Sequence, residues 1–246
     1  MTTATTIITT TTIRTRMTMT TNTEGLYRLF AWLSPAYPIG AFSYSHGIEY
    51  AVEAELVHDR ASLVGWCAHI LRRGAAWTDA VLLAHAVDAA RARDFAQLDR
   101  LADLAAAWRG TAETALESVQ QGSAFVSTTR AAWADAVLEL FARQRGEKPI
   151  ALPIALGVAA ASQVEKSVVV AAYLQSFAAN LVSAAVRLVP LGQKDGQLAI
   201  AELAAVVSKT TTAAMATALD DCGTAAPMVD WTSAKHETQY TRLFRS

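Results

Sequence analysis

The chain has 246 residues and a mass of 26.3 kDa, with 52% of positions apolar and 17% charged. That is enough for a substantial core and, with a mean hydropathy of +0.23, excludes disorder over most of the length. Twenty-one Lys and Arg oppose 22 Asp and Glu without a basic block, so phosphate neutralisation cannot dominate binding and no nucleic-acid role is expected.

Thirteen of the first 23 residues are threonine, and Arg14 and Arg16 are the only charges before Glu24. No continuous apolar run makes a secretory leader there, so residues 1–23 are expected to be a disordered, low-complexity tail. Beyond it alanine recurs and strict alternation is scarce, which favours helix throughout. The patterning predicts helices at about 25–33, 42–57, 60–73, 78–92, 95–108, 111–144, 151–163, 165–188 and 197–219. Thr78 reads as an N-cap, Asp94 with Gln97 as a capping box, and Gly146 with Pro149 as the stop of the long middle helix. Pro190 with Gly192 ends the helix before 197. The expectation is an all-α, single-domain multi-helix bundle over residues 24–246.

Ser167 to Val186 is free of charge over 20 residues, which is membrane-spanning length. It nevertheless carries Gln175, Ser176, Asn180 and Ser183, and Ser176, Asn180, Ser183 and Arg187 share one helical face. A central bundle helix fits better than a membrane span, with the polar stripe lining a partner surface or an internal cavity.

Chemistry is sparse. Gly192-Gln193-Lys194-Asp195-Gly196 lacks the spacing and the Lys-Ser/Thr end of a phosphate loop, and no GxSxG elbow occurs. Cys67 and Cys222 make neither a disulfide framework nor a CxxC zinc site, which suits a reduced, cytoplasmic setting. Cys67 reads as a small buried hydrophobe. On a continuous helix His46, Glu49 and Glu53 would share a face, leaving a two- or three-ligand metal site geometrically open. A polar pair at a surface or interface is the favoured account of His46 and Glu49. An all-α metal-dependent enzyme built on His46, Glu49 and Glu53 is therefore the alternative function.

Three segments break the alanine-rich texture: Leu33 to Glu49 (LSPAYPIGAFSYSHGIE), Asn180 to Gln193 (NLVSAAVRLVPLGQ) and His236 to Ser246 (HETQYTRLFRS). Each mixes aromatic or apolar residues with turn residues or arginines and none holds a nucleophile with its base, the composition of interface anchors. After Gly223 and Pro227 the helical periodicity stops, so the end of the chain reads as a docking tail from about 223.

In order and spacing these segments, with LPIALG at 152–157, resemble the UreF family of urease accessory proteins over about residues 26–246. Two positions depart from the pattern. Ser123 follows Gly122 where the family's middle helix usually carries a basic residue, and Tyr37 stands where an aliphatic residue is common, in what reads as an exposed turn.

The resemblance implies a non-enzymatic chaperone subunit that dimerises and assembles with UreD (also called UreH) and the GTPase UreG to deliver nickel into apo-urease. It would hold no cofactor of its own, the nickel being handled by the assembly and the GTP by UreG. The residues placed at partner contacts are Pro35, Pro38, Gly40, Phe42, Ser43, Tyr44 and Glu49 in the first segment. Asn180, Arg187 and Gln193 follow in the second, and His236, Glu237, Tyr240, Arg242, Leu243, Phe244 and Arg245 in the third. The tail is expected to dock on this chain's own body or on a partner, with UreD as the favoured one.

Overall fold

The computed structural model describes residues 22–246, and every regular element among them is helical. The expected Thr-rich tail lies outside the described residues except for its last two positions. There Asn22 Oδ1 accepts the Gly25 N–H at 2.6 Å and starts helix α1 (Thr23–Trp32). After a loop with a 3₁₀ turn at Ala41–Ser43 come α2 (Ile48–Glu53), α3 (Arg60–Arg73), α4 (Ala75–Ala92) and α5 (Phe95–Ala107). The chain continues through α6 (Ala112–Ala132), α7 (Ala136–Arg145), α8 (Leu152–Ala160), α9 (Lys166–Leu188), α10 (Gln193–Ala216) and α11 (Pro227–His236).

Helix α8 is apolar all round and buried along its whole length, the pattern of a core helix. It lies between α4 and α6. Gly122 of α6 makes that approach possible: a Cβ there would fall 1.9 Å from the Ile150 carbonyl oxygen. Helices α9 and α10 pack on each other and on α3 and α4. Both are long and apolar enough to cross a membrane by length and composition alone. Half of the apolar window of α9 is nevertheless buried within the protein itself. Cys67 is buried in the same core, and burial pushes its thiol pKa up to about 12.

One ion pair is sealed inside. Asp79 of α4 receives Arg109 Nη2 at 2.6 Å and Nη1 at 3.3 Å, and the Tyr173 hydroxyl of α9 at 2.6 Å. Burial opposes the charge on Arg109, yet the adjoining Asp79 carboxylate outweighs it and holds the guanidinium pKa above its ordinary value. Burial, then Asp79, push the Tyr173 phenol well above the usual range.

Several expected boundaries move. The helix expected at 42–57 is a 3₁₀ turn, an extended Tyr44, left-handed His46 and Gly47, and then the short α2. The expected 111–144 helix breaks at Trp133, and the Asp135 carboxylate opens α7 by accepting the N–H groups of Val137 and Leu138. Thr78 caps nothing: α4 starts after Gly74, and the Thr78 hydroxyl donates to the Ala75 carbonyl within the first turn. Helix α10 begins four residues early, so Gly192 to Gly196 is a helix start rather than a loop. Asp94 does cap α5, through Gln97 N–H at 2.9 Å, and Gly146 does end α7.

Candidate partner-binding site

The loop after α1 is shaped by its special residues. Pro35 and Pro38 are exposed, whereas Tyr37 is folded inward, contrary to the exposed turn expected from sequence. Its hydroxyl meets Thr129 Oγ1 at 2.8 Å and its ring packs 5.6 Å from that of Phe125. Gly40, at φ 73°, opens the 3₁₀ turn, and the Ser43 hydroxyl donates back to the Gly40 carbonyl at 2.7 Å. Gly47, at φ 77°, lets α11 close on the start of α2, since a Cβ there would meet the Ser233 backbone nitrogen at 2.8 Å.

Behind this loop lies a buried layer of three carboxylates, Glu49 from α2 with Glu113 and Glu117 from α6. The last ten residues, a strap running from Glu237 to Ser246, are pinned to it. Glu49 accepts the backbone N–H groups of Leu243 at 2.6 Å and Phe244 at 2.9 Å. His236, fully buried, has Nε2 3.1 Å from Glu49 and Nδ1 2.7 Å from Glu113. Glu113 also receives Arg242 Nη1 at 2.9 Å. Glu117 receives Ser246 Oγ at 3.0 Å and Gln121 Nε2 at 3.1 Å, and faces His46 Nδ1 at 3.4 Å. The Ser45 N–H and hydroxyl both donate to the main-chain oxygen of Ser246, and the Arg245 N–H donates to the Ser43 carbonyl at 2.8 Å. The tail expected to favour a partner is thus seated on the chain's own body.

Seating the strap sorts the predicted residues into two sets. Tyr44, Glu49, His236 and Phe244 are buried, and Arg242, though exposed, is held in its ion pair with Glu113. Phe42, Tyr240, Leu243 and Arg245 stay exposed, as does Glu237. Arg187 of α9 joins the seam: Nε donates to Ser183 O at 3.1 Å, Nη2 to Phe42 O at 3.0 Å, and the guanidinium lies 4.3 Å from the Phe244 ring centroid. Asn180 Nδ2 reaches Tyr44 O at 3.4 Å and Ser176 Oγ reaches Leu33 O at 3.3 Å. The polar stripe of α9 therefore faces the loop. Between them runs a groove of about 390 Å³ walled by Pro35, Ile39, Phe42, Ser176, Asn180 and Ser183. Gln193 is exposed on the first turn of α10, outside that lining.

The metal trio of the alternative reading does not assemble. His46 faces Glu117, Glu49 faces His236 and the strap, and Glu53 accepts from Gln239 Nε2 at 2.5 Å. No group of three His, Cys, Asp or Glu among the described residues is placed to hold a metal ion. Of the two places expected for a His46 and Glu49 polar pair, the surface is corrected, because both residues are buried. Sequence reasoning missed Glu113, Glu117 and Ser45. The first two stand at i and i+4 on one helix face, but nothing local says that this face meets the end of the chain.

The sequence pattern of the UreF family matches residues 57–204. The chain is similar to the urease accessory protein UreF of Granulibacter bethesdensis, 53% identical over 93% of this chain and 97% of the relative. The UreF of Rhodopseudomonas palustris strain BisA53 is 47% identical over 90% of this chain and 93% of its own length. That of a Methylobacterium strain is 45% identical over 89% of this chain and 87% of its own.

Proposed function

The chain belongs to the UreF family of urease accessory proteins, and from that premise we propose that it is a non-enzymatic, cytoplasmic chaperone subunit for nickel insertion into apo-urease. It works as a homodimer in an assembly with UreD (UreH) and the GTPase UreG. The assembly handles nickel as cargo, UreG binds the GTP, and this chain supplies the scaffold.

The observation that carries this reading is the composite surface made by the loop of Pro35 to Tyr44, the α9 stripe and the strap. Buried carboxylates hold the strap, Arg187 and Asn180 tie the α9 stripe to the loop, and Phe42, Tyr240 and Leu243 remain exposed. Large exposed aromatic and aliphatic side chains set beside arginines are the composition of interface hot spots. The competing metal-enzyme reading needs His46, Glu49 and Glu53 to converge, and their side chains point to three different partners.

Co-purification of the full chain with UreD and UreG, with and without GTP, tests the proposal. The expected result is a stable complex and restored urease activity in cells lacking the chain's own gene. Deleting Tyr240 to Ser246 is expected to abolish both. Full urease activation without complex formation would refute the scaffold role.

A further inference from the structure

Helix α1 is apolar on two sides. Gly25, Leu29 and Trp32 are buried against the bundle, while Tyr27 and Phe30, three residues apart and so on one face, are 68% and 69% exposed. A helix with apolar residues all round is normally covered all round. The Tyr27 ring centroid lies 6.1 Å from that of Trp133 at the end of α6, and the Arg28 guanidinium lies 5.8 Å from the same Trp133 ring. Just before Trp133, Ser127, Arg130 and Ala131 line an open cleft of about 580 Å³. Its other side is made by Glu139 of α7 and by Glu147 and Lys148 ahead of α8. The aromatic face and the cleft are thus neighbours.

The charges of the cleft lean to the positive. Glu139 is fully engaged: Oε2 accepts Arg130 Nε at 2.6 Å, and Oε1 accepts Arg130 Nη2 at 2.9 Å and Arg143 Nε at 2.6 Å. Arg130 Nη1 makes no hydrogen bond among the described residues, and Lys148 has only Asp99, at 4.0 Å. Arg130, Arg143 and Lys148 therefore outnumber Glu139 and Glu147. An apolar strip ending in a cationic cleft fits a segment that presents apolar side chains beside a carboxylate. Residues 1–21 of this chain do not supply that chemistry, since they contain no acid and carry Arg14 and Arg16. A scaffold holding UreD and UreG at once also needs two faces, and the loop, α9 stripe and strap make one. We propose that the Tyr27 and Phe30 face of α1, with the neighbouring cleft of Arg130 and Lys148, is a second docking surface, taken by an acid-bearing apolar segment of a partner protein. This rests on the scaffold reading above and adds a face built from other residues.

The test uses the full chain with UreG as the probe and UreD affinity as the internal control. Phe30→Gln and Lys148→Glu are each expected to weaken the UreG complex roughly tenfold or more and to leave UreD binding unchanged. Lys148→Glu should also flatten the salt dependence between about 50 and about 500 mM, a range over which screening becomes strong. Phe30→Leu should retain most of the affinity. Both positions are exposed, so the variants should keep the wild-type Tm. Unchanged UreG affinity in both variants overturns the inference and leaves the scaffold reading standing. No wild-type complex with either partner removes both. A Tm lowered by several degrees in Phe30→Gln would also overturn it, because the chain itself would then cover the face. So would a change in oligomeric mass with UreG affinity intact, which would give the face to a second copy.

Discussion

Glu49 Oε2 accepts the backbone N–H of Phe244 at 2.9 Å, a contact that joins positions 195 apart in the chain. The strap has no helical ladder to satisfy its own amides, so this carboxylate performs for Leu243 and Phe244 what an N-cap performs for a helix. Glu49→Gln keeps the size but replaces one acceptor oxygen with a donor facing other donors. The variant should melt cooperatively at a Tm lower by roughly 4–8 °C, equivalent to about 2 kcal/mol. Hydrogen exchange is expected to speed up at residues 243 and 244 while α8 keeps its protection.

The sealed pair of Asp79 and Arg109 makes a sharper prediction. Asp79→Ala leaves Arg109 buried without a counter-charge and should cost about 3–5 kcal/mol. Tyr173→Phe removes one hydrogen bond but leaves the ion pair, and should cost about 1 kcal/mol. Urea midpoints of the two variants are therefore expected to differ widely, with Asp79→Ala far the lower.

Gly122→Ala probes the crossing of α6 over the chain entering α8. Its methyl would overlap the Ile150 carbonyl oxygen and crowd the backbone of Ala151 and Leu152, none of which is the flexible end of a side chain. The expected loss is about 1–3 kcal/mol or more, seen as a lower thermal midpoint. Gly65→Ala, where a Cβ would meet nothing within 4 Å, is the control and should leave the midpoint unchanged or raised.

Hydrogen bonds from Arg130 and Arg143 hold the Glu139 pKa at about 2, below its ordinary 4.5. A depressed carboxylate pKa stabilises the fold fully above the unfolded value, and that contribution is lost as the pH falls through the folded one. Glu139→Gln should therefore lie below wild type in Tm at neutral pH, by a small margin because the pair is solvent-exposed. The gap is expected to close between about pH 4.5 and pH 2, as read from Tm against pH for both proteins.

Most helices were legible because their causes are short-range. Asp94 reaches only to Gln97 and Gly146 only to Ala142, and the apolar spacing of α9 marks its core face without knowledge of the neighbours. The reading failed where a distant segment overrode propensity. Residues 42–57 carry a helical pattern, but His46 and Gly47 turn left-handed where α11 lies against them. The helix then starts at Ile48, so the i, i+3 relation between His46 and Glu49 that suggested a metal site never forms.

By itself the sequence determined the helical class, the family, and which three segments stand out from the bundle, since composition, capping and periodicity act within a few residues of one another. Only the tertiary structure decided that Glu49, Glu113 and Glu117 hold the end of the chain, and that Tyr27 and Phe30 stay exposed. The reason is distance along the chain. A buried carboxylate must be paired, but its sequence does not say with what, and packing alone brings a donor from 129 or 195 residues away to within 3 Å.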